Sequence, residues 1–142
     1  MKIKLSLAFM AIALFAATWV EGEGQIAVIA HKSVATELMD LSRLTDIYTL
    51  NSQQWKDGSR VVVVDLKGAN PLKIEFYRYL KMTPPDMQKI WLRKQFSGKA
   101  VPPTPVNLEE EALQKVASTP GAIGYVRAEL VTKDVQVVAT LP

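Results

Sequence analysis

The chain has 142 residues, 49% of them hydrophobic and 22% charged, which is enough to bury one core and makes a single domain the default. A formal charge of +3 with no block of lysine or arginine gives no electrostatic footprint for nucleic acid. One histidine, no cysteine, no His-Glu-x-x-His and no Gly-x-Ser-x-Gly exclude a disulfide framework, the ordinary metal sites and most nucleophilic hydrolase chemistry, and no cofactor is implied.

In chain order, Lys2 and Lys4 precede an apolar run from Leu5 to Val20 that only Ser6 and Thr18 interrupt, and small residues from Ala16 to Gly22 offer a cleavage site. This predicts a secretory signal peptide over 1–22 rather than an anchor, since the run is shorter than the roughly 20 residues of a spanning helix. Removing Lys2, Lys4 and Glu21 leaves 15 basic against 13 acidic residues in the predicted domain, 23–142. The expected location is periplasmic or otherwise extracytoplasmic.

Gln25 to Ala30 reads as a buried strand that ends at His31-Lys32-Ser33, polar residues that either line a site or mark arrival at the surface. Asp40 is an N-cap for a short helix with Leu41, Leu44 and Ile47 or Tyr48 on one face, ending near Leu50-Asn51. Trp55-Lys56-Asp57-Gly58 is a turn with the indole as a lid over it.

Arg60 to Asp65 contains four consecutive valines, too short a run for a helix, and reads as a central parallel strand with Asp65 at its carboxyl end. After Gly68, Asn70 caps a helix whose first position is Pro71, where the missing N–H costs nothing. Leu72, Phe76 and Leu80 with Tyr77 form its buried stripe, and Lys73, Arg78 and Lys81 are expected to face water. A strand, a glycine loop and a capped helix in succession aim backbone N–H groups at a strand end, where α/β proteins commonly receive anions.

Thr83 and Pro84 open a third helix that is expected to bury Met87, Ile90 and Trp91 and to stop at Gly98. Gly98-Lys99 lacks a following Ser or Thr, so a P-loop is excluded. Pro102, Pro103 and Pro105 predict a stiff exposed connector. Asn107 and Glu110 form a capping-box pattern for a helix that buries Ala112, Leu113 and Val116, with Glu109 to Glu111 favouring its positive start. Ala122 to Val126 and Val135 to Ala139 are the last strands, and Gly124 marks a bend or a close backbone approach. The expected fold class is α/β, three-layered, with the strands at Gln25, Val61 and Ala122 in one sheet.

Several motifs in this order resemble the phosphate-binding proteins of ABC importers: Ile-Ala-Val-Ile-Ala-His-Lys-Ser, Leu-Thr-Asp-Ile-Tyr-Thr-Leu, Trp-Lys-Asp-Gly, Val-Val-Asp-Leu-Lys-Gly-Ala-Asn-Pro-Leu and Pro-Gly-Ala-Ile-Gly-Tyr-Val. The resemblance spans nearly all of 23–142 and is narrowest to the short, exported branch named phosphate ABC transporter substrate-binding protein. It implies a single lobe like one domain of a type II periplasmic binding protein, no enzymatic activity, and phosphate held in the loop after the valine strand. Matched position by position, the family's arginine falls at Asp65, and its Gly-Ser-Gly-Thr turn falls at Ala69, Asn70, Pro71 and Leu72. Asp65 thus puts an anion where the family has a cation, Pro71 deletes an N–H donor and Leu72 removes a hydroxyl.

The candidate ligand-binding residues are Lys32, Ser33, Asp65, Lys67, Gly68, Ala69 and Asn70, with no catalytic or metal-ligating set. The first functional expectation is non-covalent binding of a small anion such as phosphate, linked to ABC-type uptake. The alternative is a degenerate binding-protein lobe serving as an envelope protein-interaction module. The partners expected are accordingly a small anion and an envelope protein or transporter, not nucleic acid.

Overall fold

The computed structural model describes residues 24–35 and 38–142, so the leader predicted over 1–22 lies outside the described residues. The run Val61 to Val64 supplies the strand around which the sheet is built. That strand is β2, Val62–Leu66, and it pairs in parallel with β3, Thr104–Val106, on one side and β4, Ala122–Arg127, on the other. Beyond β4 lie β1, Ile26–Ala30, and β5, Gln136–Leu141, giving the order β3-β2-β4-β1-β5. β1 runs antiparallel to both β4 and β5, so the sheet is mixed. A fully apolar β1 is buried along its whole length, as a strand covered on both faces must be.

The helices form within a residue or two of the predicted bounds because their caps are encoded locally. Asp40 accepts from the Arg43 N–H at 2.8 Å and starts α1, Leu41–Tyr48. Asn70 accepts from the Leu72 N–H at 2.9 Å and starts α2, Pro71–Tyr79, with Pro71 at the first position. Thr83 caps α3, Pro84–Phe96, in the same manner. The start of α4, Glu109–Ser118, differs from expectation. It begins so that Glu111 becomes the third helical residue, and Glu111, not Glu110, reaches back to accept from the Asn107 N–H at 2.9 Å.

Two further departures have simple causes. The proline connector is partly a strand: Pro105 sits in β3, at the sheet edge, where a residue without an N–H is tolerated because its outer side has no partner strand. Leu41 is exposed although it begins the apolar stripe of α1; Leu44, Ile47 and Tyr48 carry the burial.

Helices cover both faces. Tyr125 of β4 stacks on Phe76 of α2 with centroids 4.0 Å apart, and Tyr48 of α1 packs edge-on to Phe76 at 4.9 Å. Such aromatic pairs contribute about 0.5–1.5 kcal/mol each beyond their burial. The neighbouring residue, Gly124, points to the opposite face, where a Cβ would lie 3.0 Å from Val116 of α4. The sequence suggested a bend or a close backbone approach at this glycine; what it accommodates is the Val116 side chain, packed closely from α4.

Gly121 is the most tightly enclosed glycine among the described residues. Its φ is +77°, its carbonyl accepts from the Trp55 indole at 2.9 Å, and an added Cβ would collide with the Arg60 carbonyl oxygen. Trp55, expected as a lid over its own turn, is buried with its indole tied to the turn before β4. Gly121→Ala combines a left-handed backbone with a backbone clash, and its expected cost is at least about 1–3 kcal/mol. A denaturant-unfolding midpoint equal to that of the unsubstituted protein would contradict this assignment.

Candidate functional site

Asp65 is the penultimate residue of β2, with its side chain on the face shared by α1 and α2. It is only 4% exposed, although it carries a carboxylate. The cost of burying that charge is met by three partners: the Tyr77 hydroxyl donates to Oδ2 at 2.8 Å, the Tyr125 hydroxyl donates to Oδ1 at 2.7 Å, and Lys73 Nζ lies 3.2 Å from Oδ2. Both carboxylate oxygens are engaged by groups from α2 and β4, so this is a structural clamp as well as a site wall.

Lys73 corrects the expectation that it faces water. Its side chain is only 12% exposed, because the third position of α2 points back over the strand end, toward Asp65 and the Tyr77 ring. Arg78 and Lys81 are exposed as expected. The signal available in the sequence was the spacing: Lys73 and Tyr77 are four residues apart and so share one helical face, directly after a strand that ends in an acidic residue.

At the carboxyl end of β2 a cavity of about 440 Å³ opens beside this cluster. Asp65, Leu66, Lys67 and Gly68 form its floor, and Lys73 enters from α2. Pro84, Pro85, Gln88 and Trp91 of α3 and Pro103 and Pro105 of the β3 segment make the walls. Gly68 has φ +69°, which lets the loop turn sharply out of the strand. Trp91 is fixed by its indole N–H, which donates to the Tyr48 carbonyl at 2.7 Å.

Of the seven candidate residues, the fold brings Asp65, Lys67 and Gly68 to this cavity. Ala69 and Asn70 continue the same loop: Ala69 is exposed, and the Asn70 side chain is committed to capping α2. Lys32 and Ser33 lie elsewhere. Because β1 is antiparallel to β4 while β2 is parallel to it, the carboxyl end of β1 meets the amino ends of β2 and β4. There the His31 N–H donates to the Ala122 carbonyl, and Ser33 Oγ accepts from the Gly121 N–H at 3.2 Å. At about 3.3 Å per residue, the length of β2 separates the two groups by roughly 15 Å. Ser33 also holds the imidazole, with Oγ 2.8 Å from His31 Nδ1, which makes the pair a local turn lock at the opposite end of the strands.

Burial drives the titration of the aromatic cluster. The Tyr48, Tyr77 and Tyr125 phenols are all held above their ordinary value, first by desolvation and then by the negative charge of Asp65. The unfolded chain ionises its tyrosines near pH 10 while the folded chain retains these protons, so stability is intact below about pH 10 and falls above it. Unfolding midpoints that decline between about pH 10 and 11, with phenolate absorbance rising only as the protein unfolds, are the expected result. Asp65→Ala strands two phenols and an ammonium and is expected to destabilise the fold by about 3–5 kcal/mol. Tyr77→Phe removes one bond to a charged acceptor and is expected to cost about 1.5–3 kcal/mol. Chemical denaturation of the two variants checks the order, and an Asp65→Ala protein as stable as the parent would refute the clamp.

No family model matches the chain, and no curated protein matches it. Solved structures do. A phosphate ABC transporter substrate-binding protein with bound phosphate from Clostridium perfringens matches with a TM-score of 0.67 and 21% identity, over 81% of this chain and 45% of that one. An ABC-type phosphate transport receptor from Vibrio cholerae matches with a TM-score of 0.64 and 15% identity, over 81% and 46%. PstS from Borrelia burgdorferi matches with a TM-score of 0.54 and 15% identity, over 72% and 41%. At these identities the likeness establishes architecture, and in each case this chain spans less than half the length of the structure it matches. The five-stranded mixed sheet and its helices therefore have the fold of one lobe of the phosphate ABC transporter substrate-binding proteins.

Proposed function

We propose that this chain is an exported binding-protein lobe that holds a small anion such as phosphate non-covalently at the carboxyl end of β2, in the service of ABC-type uptake. The observation that carries this reading is the convergence of Lys67, Gly68 and Lys73 on one 440 Å³ cavity at the end of a parallel strand. The exposed Lys67 ammonium and the glycine loop, with the Lys73 ammonium that Asp65 holds beside them, supply the charge-assisted donors that an oxyanion needs. The leader pattern over 1–22 supports export and an extracytoplasmic location of 23–142.

A second reading is a lobe kept for protein interaction in the envelope. It is supported by Leu92 and Phe96, four residues apart on α3 and therefore on one face, with Phe96 87% exposed. Single exposed hydrophobes are ordinary, but a helix-face pair that includes an aromatic is the chemistry of a contact surface.

Calorimetric titration of residues 23–142 with phosphate and with sulfate at millimolar concentration separates the two. The anion reading expects measurable heat and a thermal upshift, both reduced about tenfold or more in affinity by Lys67→Ala, since one charge-assisted hydrogen bond is worth about 1.5–3 kcal/mol. Lys67 is exposed, so this variant retains the fold. Silence in a folded protein overturns the anion reading and leaves the interaction surface.

A further inference from the structure

The cavity at the end of β2 is larger and more apolar than an inorganic oxyanion requires. Its walls include four prolines and the Trp91 ring, while charge is confined to its floor. Lys73 is largely neutralised there by Asp65 at 3.2 Å, so Lys67 supplies the surplus positive charge. A tetrahedral ion with polar oxygens all round would fill a small part of 440 Å³ and would lie against walls in which rings outnumber the one amide, that of Gln88. Sites of this volume that are lined by apolar rings, with few polar groups at one end, suit a small organic molecule with one polar head.

Resting on the anion reading above, we infer that the ligand of this cavity is an organic anion: one acidic head, a carboxylate or a phosphate monoester, joined to a flat apolar body. The head lies at Lys67 and the Gly68 loop, with Lys73 able to share its ammonium between Asp65 and the ligand. The body lies against Trp91 and the proline rings, where burial of apolar surface adds affinity. The Trp91 indole N–H is already committed to the Tyr48 carbonyl, so the ring offers a face and not a donor. That distinguishes this pocket from a hydrogen-bonding cage for a free oxyanion.

The test is titration of the folded protein 23–142 with phenyl phosphate, benzoate and inorganic phosphate, followed by calorimetry and by tryptophan fluorescence. At least one aromatic anion is expected to bind tenfold or more tightly than inorganic phosphate and to change the fluorescence. Lys67→Ala is expected to weaken that binding about tenfold, and Trp91→Phe, which keeps a ring, to abolish the fluorescence response while calorimetric binding persists. The two aromatic probes identify which head the floor accepts. Inorganic phosphate binding as tightly as both aromatic anions overturns this inference and leaves the anion reading standing. Absence of binding by all three overturns both. Aromatic-anion binding that Lys67→Ala does not weaken places the probe elsewhere and overturns the inference.

Discussion

The buried carboxylate of Asp65 ties the structure together where β2 ends. It receives hydroxyls from Tyr77 on α2 and Tyr125 on β4 and lies beside the Lys73 ammonium. A lone carboxylate in that position would be costly, and the arrangement persists because every oxygen is met. The clamp sets the position of α2 over the sheet, and with it the aromatic stack of Phe76 on Tyr125. Glu75, on the same helix, reinforces the link by pairing with Arg127 of β4 at 2.7 Å.

The same interaction shapes the chemistry next to it. By drawing Lys73 down onto the strand end, Asp65 spends most of that cation internally and leaves a cavity floor of modest positive charge. The resemblance to phosphate-binding proteins places an arginine at the Asp65 position. Here the anionic residue is not an unpaired charge facing a ligand, because its neighbours have absorbed it. What remains open to a ligand is Lys67, the Gly68 loop and a wall from α3 and the β3 segment made of rings and the Gln88 side chain.

Strand direction governs the rest of the site. β1 enters the sheet antiparallel to β4, so its polar exit at His31, Lys32 and Ser33 lies at the end of the strands opposite Lys67 and Gly68. Two polar loops that follow similar apolar strands in sequence are thereby kept apart by the length of the sheet. The Ser33 hydroxyl instead joins the turn at Gly121, which Trp55 closes from above.

The sequence by itself determined most of the elements and three of the helix caps. Asp40, Asn70 and Thr83 act within three residues of their own positions, the four valines specify a buried strand, and the glycine at 68 marks a sharp loop. Such features depend on nearest neighbours along the chain, and they were legible for that reason. The three-layer α/β class followed from their order, and Asp65, Lys67 and Gly68 fall together at one cavity because they continue directly from one strand. Only the tertiary structure decided that Lys73 turns inward, that Pro105 lies in an edge strand, that Trp91 and four prolines wall a cavity, and that Lys32 and Ser33 fall at the opposite end of the strands. Each of these depends on the direction in which a strand enters the sheet or on a partner distant in sequence, and local patterning carries neither.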